Sequence, residues 1–296
     1  MPTPPAVNVE TLRGLDAQTR EGVHQLATGV QARVGEPPLS DQALLRLGSG
    51  EVRHLVARSG PKVDGYAQLD GDRLEIVGEV EASATLLQHA EAIGGFALVW
   101  SHGRRSPLAE VLPDHGYAPV RVLHQLRRPL SDAIAVVEVA PPVAIRTFRP
   151  GSDEQQWLSV NAAAFADHQE QGGWTLADLQ AREGQPWFNP DGFFVAERPA
   201  PDERGLQLIG FHWTKVHADG AGEVYVLGVD PAAQGLHLGS ALLSVGLRYL
   251  AARGCKQVLL YVDDDNAPAR RLYERFGFVT HDTDTQWARA QTLDTP

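Results

Sequence analysis

Glu223-Val224-Tyr225-Val226-Leu227-Gly228-Val229-Asp230-Pro231-Ala232-Ala233-Gln234-Gly235-Leu236-His237-Leu238-Gly239-Ser240 reads as an apolar strand ending at Asp230-Pro231, a turn carrying Gly235, and the start of a helix. Leu238, Ala241, Leu242, Val245 and Tyr249 recur on one face of that helix, and Gly254 closes it. A helix start after such a turn aims its unpaired backbone N–H groups at one place, where the aligned peptide dipoles favour an anion; a pyrophosphate is a natural guest. A strand-turn-helix that binds nothing has the same pattern, so the loop does not decide the matter alone. A dinucleotide-binding unit fits poorly, because this turn is not the first of the chain and lacks G-x-G-x-x-G spacing.

The next segment has the same logic. Val258-Leu259-Leu260-Tyr261-Val262 predicts a strand, Asp263 to Asn266 a polar turn, and Ala267 to Phe276 a helix stopped by Gly277. Asn266 suits the N-cap, and Pro268 suits the first turn, where its missing N–H costs little. Leu272 and Phe276 are expected in the core.

Working outward, the same half predicts a strand over Val143 to Phe148, a helix from about Asp153 to Phe165 and a short helix near Leu176 to Arg182. Strands are expected near Phe193, over Leu208 to Val216 and Val224 to Val229, and near residue 278. The first half opens with helical spacing over residues 16–34 and a short helix through Gln42 to Leu47. Strands follow at Val52 to Ala57, Gly65 to Leu69 and Leu74 to Val80, then a helix near Thr85 to Ile93 and strands at Phe96 to Trp100 and Val120 to Leu126. Pro129 to Pro142 has the composition of a linker. The repeated order of elements predicts an α/β fold with two domains, 1–139 and 140–296, as a tandem duplication.

Composition narrows the function. The formal charge of -11 argues against nucleic-acid binding, which depends on clustered Lys and Arg. The single cysteine, Cys255, leaves no disulfide framework and no thiolate cluster within the chain, and the histidines His102, His124, His212 and His217 lack metal-ligand spacing; no metal is expected. There is no apolar run of membrane-spanning length, and the start does not resemble a secretory signal, so a cytoplasmic monomer without membrane partners is expected.

The loop Gln234-x-x-His237-x-Gly239 and the stretch Asn266 to Phe278 resemble the Gcn5-related N-acetyltransferase superfamily. Within it the chain is most similar to the mycothiol acetyltransferases, a tandem-domain family. That closer resemblance is carried by Ala162 to Ala166, Glu170-Gln171-Gly172-Gly173-Trp174-Thr175, Gly210-Phe211-His212-Trp213-Thr214-Lys215-Val216-His217, and Gly222 to Gln234. It is strong over residues 143–282 and thins in the first half to Trp100 to Gly103 and His124 to Leu130.

The resemblance implies tandem acetyltransferase-like domains, each a mixed central sheet flanked by helices, the first degenerate and the second catalytic. It implies acetyl transfer from acetyl-CoA to the cysteine amine of a small amino-thiol glycoside, cysteinyl-glucosaminyl-inositol. The family's catalytic carboxylate falls on Glu223 and its tyrosine acid on Tyr273. Cofactor contacts fall on Leu227, Gly228 and Val229, on Gln234, Gly235, Leu236, His237, Leu238, Gly239 and Ser240, and on Asn266, Ala267, Pro268, Ala269, Arg270 and Arg271. Substrate contacts fall on Asp41, Glu170, Lys215, Glu223 and Tyr261.

These residue types suit the chemistry. An α-amine has a pKa of about 7.7–8.0, so it must lose a proton before it attacks, and Glu223 can take that proton directly or through water. Strand N–H groups near Leu227 to Val229 can stabilise the developing oxyanion, and Tyr273 can protonate the departing thiolate. An acetyltransferase for another small amine, or a non-catalytic acyl-CoA sensor, would share much of the pattern. Two departures stand out. His237 replaces a glycine that lets backbone approach phosphate, and the stretch from Val77 to Gln88 has no glycine-rich loop but carries Glu79 and Glu81.

Overall fold

The computed structural model describes residues 8–200 and 205–290, leaving the side chains of positions 169 and 170 outside the described set. In chain order the elements are β1 (Asn8–Leu12), α1 (Ala17–Val34), α2 (Asp41–Leu45), β2 (Arg53–Ser59), β3 (Lys62–Asp70), β4 (Arg73–Gly78), α3 (Val80–Ile93), β5 (Leu98–Ser101), α4 (Pro107–Val111) and β6 (Tyr117–Pro129). They continue as β7 (Ala144–Thr147), α5 (Glu154–Ala164), α6 (Gln169–Gly172), α7 (Leu176–Glu183), β8 (Phe193–Pro199), β9 (Leu206–Val216), β10 (Gly222–Val229), α8 (Leu238–Ala252), β11 (Gln257–Asp263), α9 (Ala267–Arg275) and β12 (Val279–Arg289). Two compact units result, one holding the residues up to His124 together with those from Asp282 onward, the other running from Gln125 to His281.

In the first unit, β1 to β4 pair antiparallel in sequence order, β5 joins β4 in parallel, and β12 joins β5 antiparallel. Alternation decides the faces. Leu55, Ala57, Ala67, Leu69, Leu74 and Ile76 meet Leu86, Leu87 and Ala90 of α3, while Val56, Tyr66 and Val77 meet Val23, Val30 and Val34 of α1. The spacing in α1 puts its apolar stripe on the sheet, Asp16 caps its start by accepting from the Thr19 N–H at 2.7 Å, and Gly35 ends it in the left-handed conformation.

The second unit repeats the plan with β7, β8, β9 and β10 antiparallel in order and β11 parallel to β10. Trp157 of α5 and Leu179 of α7 pack with Phe193, Phe211 and Trp213; Leu238 and Leu242 of α8 pack with Phe194, Ala196 and Ile209. His212 of β9 fixes α8 on the sheet: its Nδ1–H donates to the Leu242 carbonyl at 2.8 Å, and its ring lies where a Gly246 Cβ would come within 2.1 Å. Burial holds the His212 pKa down to about 4, so the ring is neutral at physiological pH.

Several sequence expectations are corrected in detail. The chain passes from one compact unit to the other within β6 and returns to the first within β12. The expected linker, Pro129 to Pro142, is irregular in backbone beyond β6 but packed within the second unit: the Leu130 N–H donates to the Lys256 carbonyl at 2.8 Å, Ser244 Oγ donates to the Ala135 carbonyl at 2.6 Å, and Ile134, Val137 and Val139 sit against the core. Strand β1 was not expected, and β12 is far longer than the short strand expected near residue 278. Helix α3 starts at Val80, not Thr85, because β4 already ends at Gly78.

Candidate active site

The β9–β10 hairpin builds the site. It closes through the His217 N–H on the Ala221 carbonyl (2.8 Å) and the Gly220 N–H on the His217 carbonyl (2.9 Å). This register sets Glu223 opposite Lys215, with His217 two residues further along β9's path and so a diagonal neighbour on the same face. Both groups reach the same carboxylate oxygen: His217 Nε2 is 2.7 Å and Lys215 Nζ 3.8 Å from Glu223 Oε2. Glu223 and Lys215 are buried, at 7% and 8% exposure, whereas the His217 side chain is 30% exposed.

Aromatic rings line this buried pair. The Lys215 ammonium lies 5.3 Å from the Trp187 centroid and 5.5 Å from that of Tyr225, inside cation–π range. The Arg182 guanidinium covers Trp174 at 3.8 Å and donates from Nε to the Tyr225 hydroxyl at 3.1 Å. Burial raises the Tyr225 phenol pKa, with Arg182 opposing the shift. Tyr225 stands at the register shift between Val224 and Val226, where the strand accommodates an extra residue.

The same strand then parts from its neighbour. Among the described residues β10 pairs with β11 at Gly222↔Val258 and Glu223↔Leu259, and the ladder does not continue beyond them. From Val224 onward the β11-facing edge of β10 therefore has no β11 partner among the described residues, and those backbone groups among Leu227 to Val229 that point away from β9 become available for other partners. Gly228 is needed there for packing, since a Cβ would lie 2.9 Å from the Phe211 ring and 3.1 Å from Phe165.

Beyond that strand end lies a groove of about 310 Å³ lined by Val229, Gln234, Gly235, His237, Leu238, Gly239, Ser240 and Pro268, with Ala233, Leu272 and Arg275 completing it. Gly235 has φ +86°, and a Cβ on Gly239 would sit 3.3 Å from Leu272, so α9 packs closely on the first turn of α8. His237 is the N-cap of α8 with φ 57° and ψ 18°, the one non-glycine residue of positive φ among the described residues. Its imidazole is exposed, so the backbone keeps the left-handed turn that glycine would favour. The cradle fits an anionic cofactor: backbone N–H groups at a helix start, small residues where close approach is needed, and no acidic side chain in the lining.

Other expected positions fall around this centre. Tyr273 of α9 is buried at 7% exposure beside Phe278 and Val224, and burial pushes its phenol pKa well above the ordinary value. Asn266 caps α9 by accepting from the Ala269 N–H at 3.2 Å; Ala267 and Arg271 are exposed on the same turn, and Arg270 pairs with Asp264 at 2.7 Å. Leu236 is exposed on the loop and does not line the groove. Tyr261 of β11 is 41% exposed and accepts from Gln125 Nε2 at 3.0 Å. Asp41 opens α2 in the first unit, and the side chain of Glu170 lies outside the described residues. Among the described residues there is no cluster of His, Cys, Asp and Glu able to hold a metal ion, and no helix is long and apolar enough to cross a membrane.

Sequence reasoning gave no role at the site to His217, Trp174, Trp187, Tyr225 or Arg182. Strand alternation held one signal, because Trp213, Lys215 and His217 share a face.

Residues 158–278 match the Acetyltransferase (GNAT) family. A mycothiol acetyltransferase of Thermomonospora curvata is 48% identical over 275 residues, covering 88% of this chain and 91% of that protein. The chain belongs to the mycothiol acetyltransferase family. A second relative of the same name, from Streptomyces avermitilis, is 43% identical over 95% of this chain and 94% of its own. The chain is thus an acetyl-CoA-dependent N-acetyltransferase, and the acetyl donor is a co-substrate common to the GNAT class. Solved structures agree on the fold: a GCN5-related N-acetyltransferase from Sphaerobacter thermophilus superposes with TM-score 0.70 at 20% identity, covering 94% of each chain. A tandem GNAT protein of the clavulanic acid pathway gives 0.67 at 15% identity, covering 95% of this chain and 98% of that one.

Proposed function

We propose that the protein acetylates the cysteine amine of cysteinyl-glucosaminyl-inositol, giving mycothiol and CoA, and that the second unit performs the chemistry. The observation that carries this reading is the buried Glu223 carboxylate, held by Lys215 and His217 where β10 leaves β11 and leads on to the groove at the start of α8. The choice of substrate is supported by the name of the relatives, mycothiol acetyltransferase.

The α8 loop, Gln234 to Ser240, would hold the pyrophosphate of acetyl-CoA, with Asn266 to Arg271 at its side; the bound donor supplies an activated acetyl group. Glu223 accepts the proton that the amine must lose, a role worth about a hundredfold to ten-thousandfold in rate. Backbone N–H groups among Leu227 to Val229 stabilise charge developing on the carbonyl oxygen, since they are oriented before reaction begins. Tyr273 holds its proton through the neutral range and gives it to the leaving thiolate. Lys215, Glu170, Tyr261 and Asp41 are the substrate-contact candidates.

The first unit is proposed to be non-catalytic. Its counterpart of the phosphate turn carries Glu79 at the N-cap of α3 and Glu81 in the first turn, where two carboxylates oppose an anion. The test is direct: purified protein given acetyl-CoA and cysteinyl-glucosaminyl-inositol should release CoA and form the N-acetyl product. Release with other small amines at equal kcat/KM would replace the substrate assignment, and no release with any amine would end the enzymatic reading of this site.

A further inference from the structure

We infer that His217 is a positioning residue that fixes the rotamer of Glu223 and leaves one defined oxygen to receive the amine proton. The inference rests on the reading of Glu223 as the base. A carboxylate only accepts hydrogen bonds, so at 2.7 Å the proton between the two groups belongs to the imidazole, and His217 donates from Nε2–H to Oε2. Lys215 Nζ approaches that same oxygen at 3.8 Å. The His217 N–H and the Lys215 ammonium thus converge on Oε2, and Oε1 is the oxygen with no hydrogen bond among the described residues.

A glutamate side chain has three rotatable bonds, and the backbone register alone, Glu223 opposite Lys215, fixes only its Cβ. The flexible ammonium at 3.8 Å is too far for a directed hydrogen bond. The imidazole is different: its own backbone is pinned in the hairpin turn, its N–H donates to the Ala221 carbonyl, its C=O accepts from Gly220, and its ring has two χ angles. It therefore transfers the rigidity of the turn to the carboxylate. A general base must sit within hydrogen-bond reach of the proton it removes, and a displacement of about 1 Å costs up to roughly a hundredfold.

The test uses the full chain with acetyl-CoA and the cysteinyl amine. His217→Ala is expected to lower kcat about tenfold to a hundredfold while the KM for acetyl-CoA stays within about twofold. His217→Gln, whose amide N–H can replace the donor, should recover most of that loss. The double variant Glu223→Gln/His217→Ala should be no slower than Glu223→Gln alone, because His217 acts through Glu223. Wild-type kcat in His217→Ala, no recovery in His217→Gln, or additive losses in the double variant would each overturn the inference while Glu223→Gln remains impaired. Unimpaired turnover in Glu223→Gln would instead remove the base itself, and the positioning role with it.

Discussion

Lys215 and Glu223 are directly opposed across β9 and β10, and the ammonium stands 3.8 Å from the carboxylate in a setting where both are more than nine-tenths buried. Removing one member of such a pair leaves the other charge buried without its counterion. Lys215→Met keeps most of the stem's packing against Trp187 and Tyr225, so the expected loss of about 1–3 kcal/mol comes from the stranded carboxylate. Denaturant unfolding measures it. Equal stability would show that His217 and solvent already balance the carboxylate.

Tyr273→Phe keeps the ring among Val224, Phe276 and Phe278 and removes only the hydroxyl. Stability should change by less than about 1 kcal/mol, while acetyl transfer slows by about tenfold or more. Rapid-quench quantification of CoA and of the N-acetyl product gives the rate. An unchanged rate would assign thiolate protonation to water.

The first unit should respond to pH through His102. Its imidazole lies between Glu75 and Asp284, 3.1 Å from each, and these carboxylates overcome the opposing effect of burial to lift its pKa to about 10. Since the folded value lies above the ordinary imidazole value of 6.5, this stabilisation is fully present below about 6.5 and is lost as pH rises through about 10. Glu75 has the opposite sense: burial would raise its pKa, but His102 and Ser40 outweigh burial and lower it, so its contribution is present above the ordinary carboxyl value of 4.5 and fades on acidification. His102→Asn should therefore reduce the Tm drop between pH 7 and pH 10, as followed by calorimetry. An identical drop in both proteins would remove His102 from that titration.

Much of the fold was legible because alternation and helical spacing are local. Leu55 and Ala57 face α3 while Val56 faces α1, as a two-residue period requires. Strand β1 was illegible because Asn8 to Leu12 is a partly exposed strand with no apolar alternation. The extent of β12 was hidden for a related reason: His281, Asp282, Thr283 and Asp284 look like a polar tail, yet Asp284 accepts from the Gly103 N–H and Asp282 from the Arg104 N–H in the first unit. Such partners lie about 180 residues away in sequence, beyond any local pattern. At the site, Glu223 and Lys215 were legible through resemblance. His217 was not, because a lone histidine after a strand gains meaning only once the hairpin register sets it beside Glu223.

Acetyl-CoA binding should localise to the second unit. Gly239→Glu places a carboxylate at the start of α8, where a Cβ already meets Leu272 at 3.3 Å and the negative charge faces the pyrophosphate. Titration calorimetry should show about one tight site per chain, absent in this variant. A tight site that survives, or two equal sites in the unaltered chain, would give the first unit a cofactor role.

Glu223→Gln tests the central assignment most directly, because it preserves size and hydrogen-bonding reach while removing the base. Its kcat for acetylation of the cysteinyl amine at neutral pH should fall by about a hundredfold to ten-thousandfold, with acetyl-CoA affinity unchanged and partial recovery at alkaline pH, where more amine is already neutral. Turnover equal to that of the unaltered protein at neutral pH would contradict it.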